Sequence, residues 1–208
     1  MKFYLSSYKY GKEEYQNILK DWIGLHGKNL ILISNAKDYK EDNEIKFQKL
    51  EKEREVLRQI GFNVIDISLK DYFGKQEELF DDFKKYNTFC LIGGNVFVLR
   101  KAFELSGFDK FLVENLYNKD ILYIGYSAGI CALGKTLDGL NFVDDPINIY
   151  NEDGVQFEGV GIFDKTFVPH YKSNHPESEA IDIVVEFLKD NDIEFITLQD
   201  GDVIIEEF

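Results

Sequence analysis

The sequence predicts an α/β fold in which one doubly wound domain, residues 1–208, places a mostly parallel sheet between two layers of helices. Three observations lead to this prediction. Short β-branched, apolar runs alternate with longer amphipathic segments. Several of the short runs are apolar at successive positions, as expected of strands covered on both faces. The length of 208 residues and the hydrophobic fraction of 44% are sufficient for one core.

The apolar runs predict strands at residues 2–5, 30–34, 64–68, 88–92, 121–125 and 195–198. Helical periodicity is clearest in two segments, one ended by Gly61 and one that follows Pro176. The apolar face of the first consists of Phe47, Leu50, Leu57 and Ile60. That of the second consists of Ile181, Val184, Val185 and Leu188. Residues 136–169 contain several glycines among short apolar pieces, so we expect irregular strands or hairpins there.

The charge balance excludes several classes of partner. With 24 Lys+Arg against 38 Asp+Glu, the net charge of −14 repels nucleic acids and anionic membranes. The densest basic run, residues 46–58, interleaves basic with acidic residues, which is typical of a solvated helix face with i,i+4 pairs. No run approaches the roughly 18 apolar residues of a membrane span, and the first residues lack the apolar stretch of a signal peptide.

The two cysteines, Cys90 and Cys131, form neither a disulfide framework nor a Cys-x-x-Cys metal motif. We therefore expect a cytoplasmic protein.

The most informative motif is Gly-x-Ser-x-Gly, formed by Gly125, Ser127 and Gly129 after a predicted strand and before a short apolar helix. This is the context of a nucleophile elbow, in which glycines permit a strained turn that exposes the serine hydroxyl. The N–H of Ala128, at the start of the helix, is then available to stabilise an oxyanion. By itself the motif is also compatible with a structural turn.

A serine nucleophile needs a base, and the histidines are His26, His170 and His175. His26 lies just before a strand, where a loop or helix-end role is expected. His170 ends the extended segment 167–171, which presents its imidazole at a strand end. His175 precedes a helix start and is expected to be a cap or surface residue. The spacing of His170 and His175 does not suit one helical face, so it does not favour a zinc pair.

The acid that orients the histidine is left open by the residues alone. If the order is Ser, acid, His, the candidates are Asp138, Asp144 and Asp145. If the order is Ser, His, acid, Asp200 follows the strand 195–198, and Asp202 competes with it in the same turn. An Asp-Gly turn of this kind also occurs without any catalytic role.

A second glycine turn follows the strand 88–92. There Gly93 and Gly94 allow the backbone to approach a ligand and offer another N–H to an oxyanion. We expect Gly93 and the adjacent Asn95 to contact substrate. The same residues are also compatible with phosphate binding or a plain turn, although the full dinucleotide fingerprint and the P-loop lysine are missing.

In combination, these segments resemble the dipeptidase E (aspartyl dipeptidase) family of serine peptidases, which is related to cyanophycinases and has a class I glutamine amidotransferase-like sheet. The matching segments, in order, are 3–7, 92–99, 123–129, 159–162, 169–171 and 199–201. The resemblance implies that Ser127 is the nucleophile, His170 the base and Asp200 the acid. It also implies an oxyanion hole formed by the N–H groups of Gly94 and Ala128.

The implied reaction is hydrolysis of short peptides, with dipeptides carrying N-terminal Asp as the family's substrates, through an acyl-enzyme and without a metal or organic cofactor. Alternatives are a serine hydrolase of isoaspartyl or ester substrates, and a non-catalytic binding member of the fold. An acidic substrate requires cations at the pocket, for which we expect Arg100, Lys101 and Lys172. The partner implied is a small peptide, and the sequence does not indicate an oligomeric state.

Overall fold

The computed structural model describes residues 1–150 and 154–208, and it confirms the α/β fold with a mostly parallel sheet. The eight strands in the described residues are β1 (Lys2–Ser6), β2 (Asn29–Ile33), β3 (Asn63–Asp66), β4 (Thr88–Leu91), β5 (Leu122–Tyr126), β6 (Thr166–Val168), β7 (Phe195–Thr197) and β8 (Val203–Glu207). The helices are α1 (Glu13–His26), α2 (Glu44–Ile60), α3 (Gln76–Phe83), α4 (Val96–Ser106), α5 (Phe108–Glu114), α6 (Ala128–Cys131) and α7 (Ser178–Asp190).

The main sheet has the strand order β3-β2-β4-β5-β1-β8. Its first five strands are parallel, and β8 pairs antiparallel with β1 at one edge. Strands β6 and β7 form a separate parallel pair. The predicted strand 195–198 is therefore correct as a strand, but its place in the central sheet is taken by β8, which the apolar-run criterion missed because its last residues are exposed and acidic.

The sheet separates two hydrophobic cores. Alternate residues of β5 face opposite layers: Tyr123 packs into the core with α4, α5 and α7, whereas Leu122 and Ile124 pack into the core with α1 and α2. This alternation follows from the two-residue period of a strand. Because both faces are covered, the central strands β4 and β5 are buried along their whole length, as their apolar runs predicted.

The two predicted helices are present with small differences. Gly61 ends α2 with a φ of 124°, a value that favours glycine. Phe47, predicted on the buried face, is 56% exposed because it lies in the first turn, before the helix reaches the sheet. The helix α7 starts at Ser178, two residues after Pro176, and all four of its predicted core residues are buried.

The segment 136–169 is largely irregular, as predicted. In the described residues it contains a short 3-10 turn at Leu140–Phe142, one antiparallel bridge between Thr136 and Glu158, and β6. The part of this prediction that covers residues 151–153 lies outside the described residues. None of the helices described is both long and apolar enough to cross a membrane.

Candidate active site

The Gly-x-Ser-x-Gly motif forms a strained turn between β5 and α6. Ser127 has φ 50° and ψ −116°, a conformation that costs a non-glycine residue about 1–3 kcal/mol. A Cβ atom at Gly129 would lie 2.3 Å from the carbonyl oxygen of Leu91, and one at Gly125 would lie 2.9 Å from the carbonyl oxygen of Gly129. Both glycines are therefore required for close packing around the serine, which is the local geometry that the sequence predicted.

His170 and Asp200 are brought together by the pairing of β6 with β7. These strands are parallel with Val168 opposite Thr197, so the residues that follow each strand emerge side by side. The result is a hydrogen bond of 2.7 Å between His170 Nδ1 and Asp200 Oδ1. Because a carboxylate accepts only, Nδ1 carries the proton, and Nε2 is left free to accept another.

Ser7, directly after β1, holds His170 and Asp200 together through two hydrogen bonds of its hydroxyl. Its hydroxyl accepts a hydrogen bond of 2.9 Å from the backbone N–H of His170 and donates one of 3.0 Å to Asp200 Oδ1. The backbone N–H of Asp200 donates to the hydroxyl of Ser173 at 2.8 Å. Ser7 was not singled out from the sequence, since nothing local distinguishes it from an ordinary serine at a strand end.

Ser127 and His170 line one cavity of about 380 Å³, together with Gly93 and Gly94. In the described part of the chain no hydrogen bond joins the hydroxyl of Ser127 to the imidazole of His170. Catalytic hydrogen bonds of this kind are commonly loose without substrate and tighten when it binds. The cavity size lies near the lower end of the range for small-molecule sites, roughly 300–1,000 Å³.

The imidazole of His175 stacks on that of His170, with ring centroids 3.8 Å apart and planes 8° from parallel. Burial lowers the pKa of His170 below its ordinary value of 6.5, although its hydrogen bond to Asp200 opposes this, and His175 lowers the pKa further. His175 Nδ1 also accepts a hydrogen bond of 3.3 Å from the backbone N–H of Glu177, the residue that occupies the N-cap position of α7. Its stacking on His170 was not predicted.

The possible ligand atoms of His170, His175 and Glu177 lie within 4.8 Å of one another, so we tested whether these residues could hold a metal ion. A metal ion is bound along the in-plane lone pair of an imidazole nitrogen. In nearly parallel stacked rings these lone pairs lie in separate parallel planes, so they do not converge on one ion. The geometry of the three residues therefore suits ring packing rather than shared ligation.

The other candidate acids have different partners. Asp138 accepts a hydrogen bond of 2.8 Å from the hydroxyl of Thr136, and Asp202 accepts one of 2.9 Å from the backbone N–H of Gln199. Asp144 accepts one of 2.8 Å from the first N–H of α4, and the carbonyl of Asp145 accepts from Asn95. Of the acids considered, Asp200 is the one that the structure places on His170.

The glycine turn after β4 approaches Ser127 closely. Gly94 has a φ of 155°, and a Cβ atom there would lie 2.2 Å from the carbonyl oxygen of Ala36. A Cβ atom at Gly93 would lie 2.9 Å from the ring of Tyr126. Within the described residues, the backbone N–H groups of Gly94 and Ala128 have no hydrogen-bond partner. Two N–H groups are thus available beside Ser127.

Asn95 and Lys172, which we predicted to contact the substrate, do not line the cavity. Both polar ends of Asn95 are engaged inside the protein, because its side chain caps α4 through Val98 N–H at 3.0 Å and donates to the carbonyl of Asp145 at 2.7 Å. The ammonium of Lys172 lies 5.0 Å from the centre of the Tyr171 ring and does not line the cavity. The helix-capping position of Asn95 and the surface position of Lys172 explain why neither reaches Ser127.

The predicted cations on α4 are also outside the cavity. Arg100 is buried and pairs with Asp109 at 3.0 Å, and Lys101 pairs with Glu104 at 2.9 Å. The lysines that do line the cavity come from other segments and were missed, since sequence patterns do not show which way exposed lysines point. They are Lys9, Lys37, Lys40, Lys49 and Lys52.

Asp144 makes a testable contribution to stability. Its burial raises its pKa from 3.8 to about 7, with the N–H of Val96 opposing the shift. The contribution of Asp144 to the stability of the wild-type protein should therefore fall as the pH rises from about 4 to 7, because the ionised carboxylate is less favourable in the buried site than in the unfolded chain. We expect Asp144→Asn, which keeps the acceptor for Val96, to melt like wild type below pH 4 and to be more stable by at most about 4 kcal/mol above pH 7.

Denaturant unfolding of both proteins across this pH range measures the difference. A constant difference between the two curves from pH 4 to 8 would contradict the raised pKa of Asp144.

Serine hydrolases hold their nucleophile in this kind of strained turn, near a histidine whose other nitrogen is held by a carboxylate. The fold and the site together thus define a protein of hydrolase class. The model of one protein family, Peptidase family S51, matches residues 3–207, and the chain belongs to that family. It is a peptidase, and its class is the serine type.

Two solved structures are similar to this chain in fold. One is a crystal structure of a candidate peptidase E protein from Listeria monocytogenes EGD-e, with 20% identity, a TM-score of 0.75, and coverage of 100% of this chain and 98% of that one. The other is a peptidase from an acI-B1 Actinobacterium, with 17% identity, a TM-score of 0.71, and coverage of 99% and 83%. Among proteins with curated descriptions, none matches this chain significantly.

Proposed function

We propose that this peptidase hydrolyses short peptides with Ser127 as nucleophile, His170 as general base and Asp200 as the acid that orients it. The observation that carries the proposal is the 2.7 Å hydrogen bond between His170 Nδ1 and Asp200, at the cavity where Ser127 stands in a strained turn. The bond leaves His170 Nε2 as the acceptor on the same cavity, which is the role that a base beside a serine requires.

The steps follow from these positions. As Ser127 Oγ attacks the peptide carbonyl, its proton passes to His170 Nε2, and the resulting imidazolium is stabilised by Asp200. The negative oxygen is stabilised by the unpaired N–H groups of Gly94 and Ala128. His170 then donates its proton to the leaving amine as the C–N bond breaks. Water, deprotonated by His170, releases the acyl group from Ser127.

The charges of the cavity support a short substrate with a free amino end. Asp144 and Glu177 line the main cavity and also a small recess beside Ser127, which the apolar side chains of Val96 and Ile181 complete. Two carboxyl groups at the cavity wall attract an α-ammonium group, and a positive charge there would offset the unfavourable ionisation of Asp144. The lysines across the cavity support an acidic side chain in the substrate, which is why we include N-terminal Asp in the proposal.

A substrate panel tests the proposal. We expect Asp-Leu to be hydrolysed, and acetylation of its amino group to lower kcat/KM by about tenfold or more, because Asp144 and Glu177 lose their partner. β-Aspartyl-Leu and a simple aspartyl ester serve as competing substrate classes. If either of these substrates were preferred over Asp-Leu, the result would contradict the proposed activity on short α-peptides and support an isoaspartyl or ester hydrolase instead.

The pH dependence of kcat/KM provides a second test. Because His170 must be neutral to act as base and burial lowers its pKa, we expect the acid limb to have a midpoint below 6.5. The neighbouring imidazole lowers the pKa of His170 as well, so His175→Gln should move the midpoint to higher pH. A midpoint above 6.5 in wild type, or a downward movement in the variant, would count against His170 as the base.

A further inference from the structure

The cavity carries a concentration of unpaired positive charge that the reaction itself does not require. Five lysines, called here the lysine wall, line it: Lys9, Lys37, Lys40, Lys49 and Lys52. In the described residues none of them has a carboxylate within ion-pair distance, although the chain has 38 acidic residues against 24 basic ones. By contrast Lys46, on the same helix as Lys49 and Lys52, pairs with Asp42 at 2.8 Å.

The positive charge of the lysine wall is only partly compensated by acidic groups in the same cavity. The acids lining the same cavity are Glu53, Asp144 and Glu177, so five lysines face three carboxyl groups. Glu53 is buried and accepts a hydrogen bond of 3.3 Å from the hydroxyl of Tyr10. Burial lowers the pKa of Lys37, and Lys40 and Lys49 lower it further against the opposing effect of Glu53. An anionic ligand would relieve this repulsion.

The positive and negative sides of the cavity belong to opposite faces of the sheet. Lys49 and Lys52 lie on α2, which packs into the core that contains Tyr126. Asp144 and Glu177 lie in the recess whose apolar side chains belong to the other core. Ser127, at the end of the central strand β5, stands between them. Under the proposed function, a bound peptide has its amino end toward the carboxyl groups of Asp144 and Glu177.

Along the sheet edge, lysines flank Ser127 on both sides. The strand order places β4 and then β2 on one side of β5, and β1 on the other. Lys37 and Lys40 follow β2, whereas Lys9 follows β1. Next to Lys9, the ring of Tyr8 packs against His170 with centroids 6.0 Å apart. Since His170 protonates the leaving amine, the leaving residue lies on the side of Lys9.

From this arrangement we infer that the preferred substrate is a peptide with an acidic residue on each side of the scissile bond. Lys37 and Lys40 bind the carboxylate of the acyl residue, and Lys9 binds the side-chain carboxylate of the leaving residue. The inference rests on the proposed function for its orientation of substrate, and it adds a requirement on the leaving side that hydrolysis of Asp-Leu does not include.

Matched dipeptides test the leaving side in the unmodified protein. Asp-Glu and Asp-Gln differ by one charge at nearly constant shape, and Asn-Glu makes the same change on the acyl side. We expect kcat/KM for Asp-Glu to exceed that for each of the other two by about tenfold to a hundredfold, the range for a hydrogen bond to a charged group. Equal values for Asp-Glu and Asp-Gln would overturn the inference.

Lysine variants assign each carboxylate to its partner. Lys9→Gln should lower kcat/KM for Asp-Glu more than for Asp-Gln and so remove the preference between them, and Lys37→Gln should reduce the preference for Asp-Glu over Asn-Glu. Lys46→Gln is the matched control, because this lysine is on α2 but pairs with Asp42 outside the cavity. Equal losses on all three dipeptides in Lys9→Gln would contradict a specific contact on the leaving side.

Calorimetric binding to Ser127→Ala separates this inference from the proposed function. If peptides are not hydrolysed by the wild type, the catalytic proposal fails, but tighter binding of Asp-Glu than of Asp-Gln would still support recognition by the lysine wall. If Asp-Leu is hydrolysed and the two dipeptides bind equally, the catalytic proposal stands and the inference fails.

Discussion

Ser127→Ala is expected to lower kcat for Asp-Leu by roughly 10⁶-fold, the size of effect seen when a serine nucleophile that acts together with its base is removed. Under the proposed binding mode the KM should change little, because the contacts of the substrate with the lysine wall and with Asp144 and Glu177 do not involve the hydroxyl. The strained backbone at position 127 is the same for alanine as for serine, so thermal unfolding should be close to that of wild type. Stopped assays with high enzyme concentration measure the residual rate.

Labelling with a fluorophosphonate provides the direct control for this prediction. Mass spectrometry should find the phosphonyl group on Ser127 in wild type and on no residue in Ser127→Ala. Cys131→Ala is the matched variant in the short helix that follows the motif, since its buried thiol has a raised pKa and donates to the carbonyl of Phe167 at 3.4 Å. If Ser127→Ala retained activity, or if the label were found on another residue, the result would contradict the role of Ser127 as nucleophile.

Asp200→Asn is expected to lower kcat by about 10⁴-fold. The carboxylate accepts the Nδ1 proton of His170, whereas an asparagine amide can donate to Nδ1 and so favours the tautomer that carries its proton on Nε2. That tautomer cannot accept the proton of Ser127. Because Asp200 raises the pKa of His170, the acid limb of the residual activity should also move to lower pH.

Asp202→Asn is the matched control for Asp200→Asn. Asp202 lies in the same turn and its carboxylate accepts from the N–H of Gln199 at 2.9 Å, a contact that an asparagine oxygen can keep. We expect near wild-type kcat from this variant, measured under identical conditions. A large loss of kcat in Asp202→Asn with a small loss in Asp200→Asn would show that Asp202, and not Asp200, orients His170.

The net charge of −14 and an acidic substrate are compatible because charge is distributed unevenly. Several lysines elsewhere pair with near neighbours, for example Lys84 with Asp81 at 2.5 Å and Lys85 with Asp82 at 2.7 Å. The lysine wall has no such partners in the described residues and lies in a concave site, where electrostatic fields are focused. The negative exterior favours solubility, while the cavity attracts anions.

The basic run 46–58 shows the limit of a pattern-based interpretation. The sequence predicted a solvated helix face with paired charges, and Arg54 and Arg58 do pair with Glu51 at 2.9 Å and 2.7 Å. Lys49 and Lys52 belong to the same pattern but line the cavity. Periodicity specifies the face of a helix on which a residue lies, but not what another segment places opposite that face.

The sequence by itself determined the alternation of strands and helices, the elbow at Ser127 and the glycine turn at Gly94, because each depends on the conformation of a few consecutive residues. Only the tertiary structure decided which aspartate meets His170, since that contact depends on β6 pairing with β7 across 30 residues. It also decided which lysines line the cavity. Such contacts are set by strand register and by packing between distant segments, which local patterns do not encode.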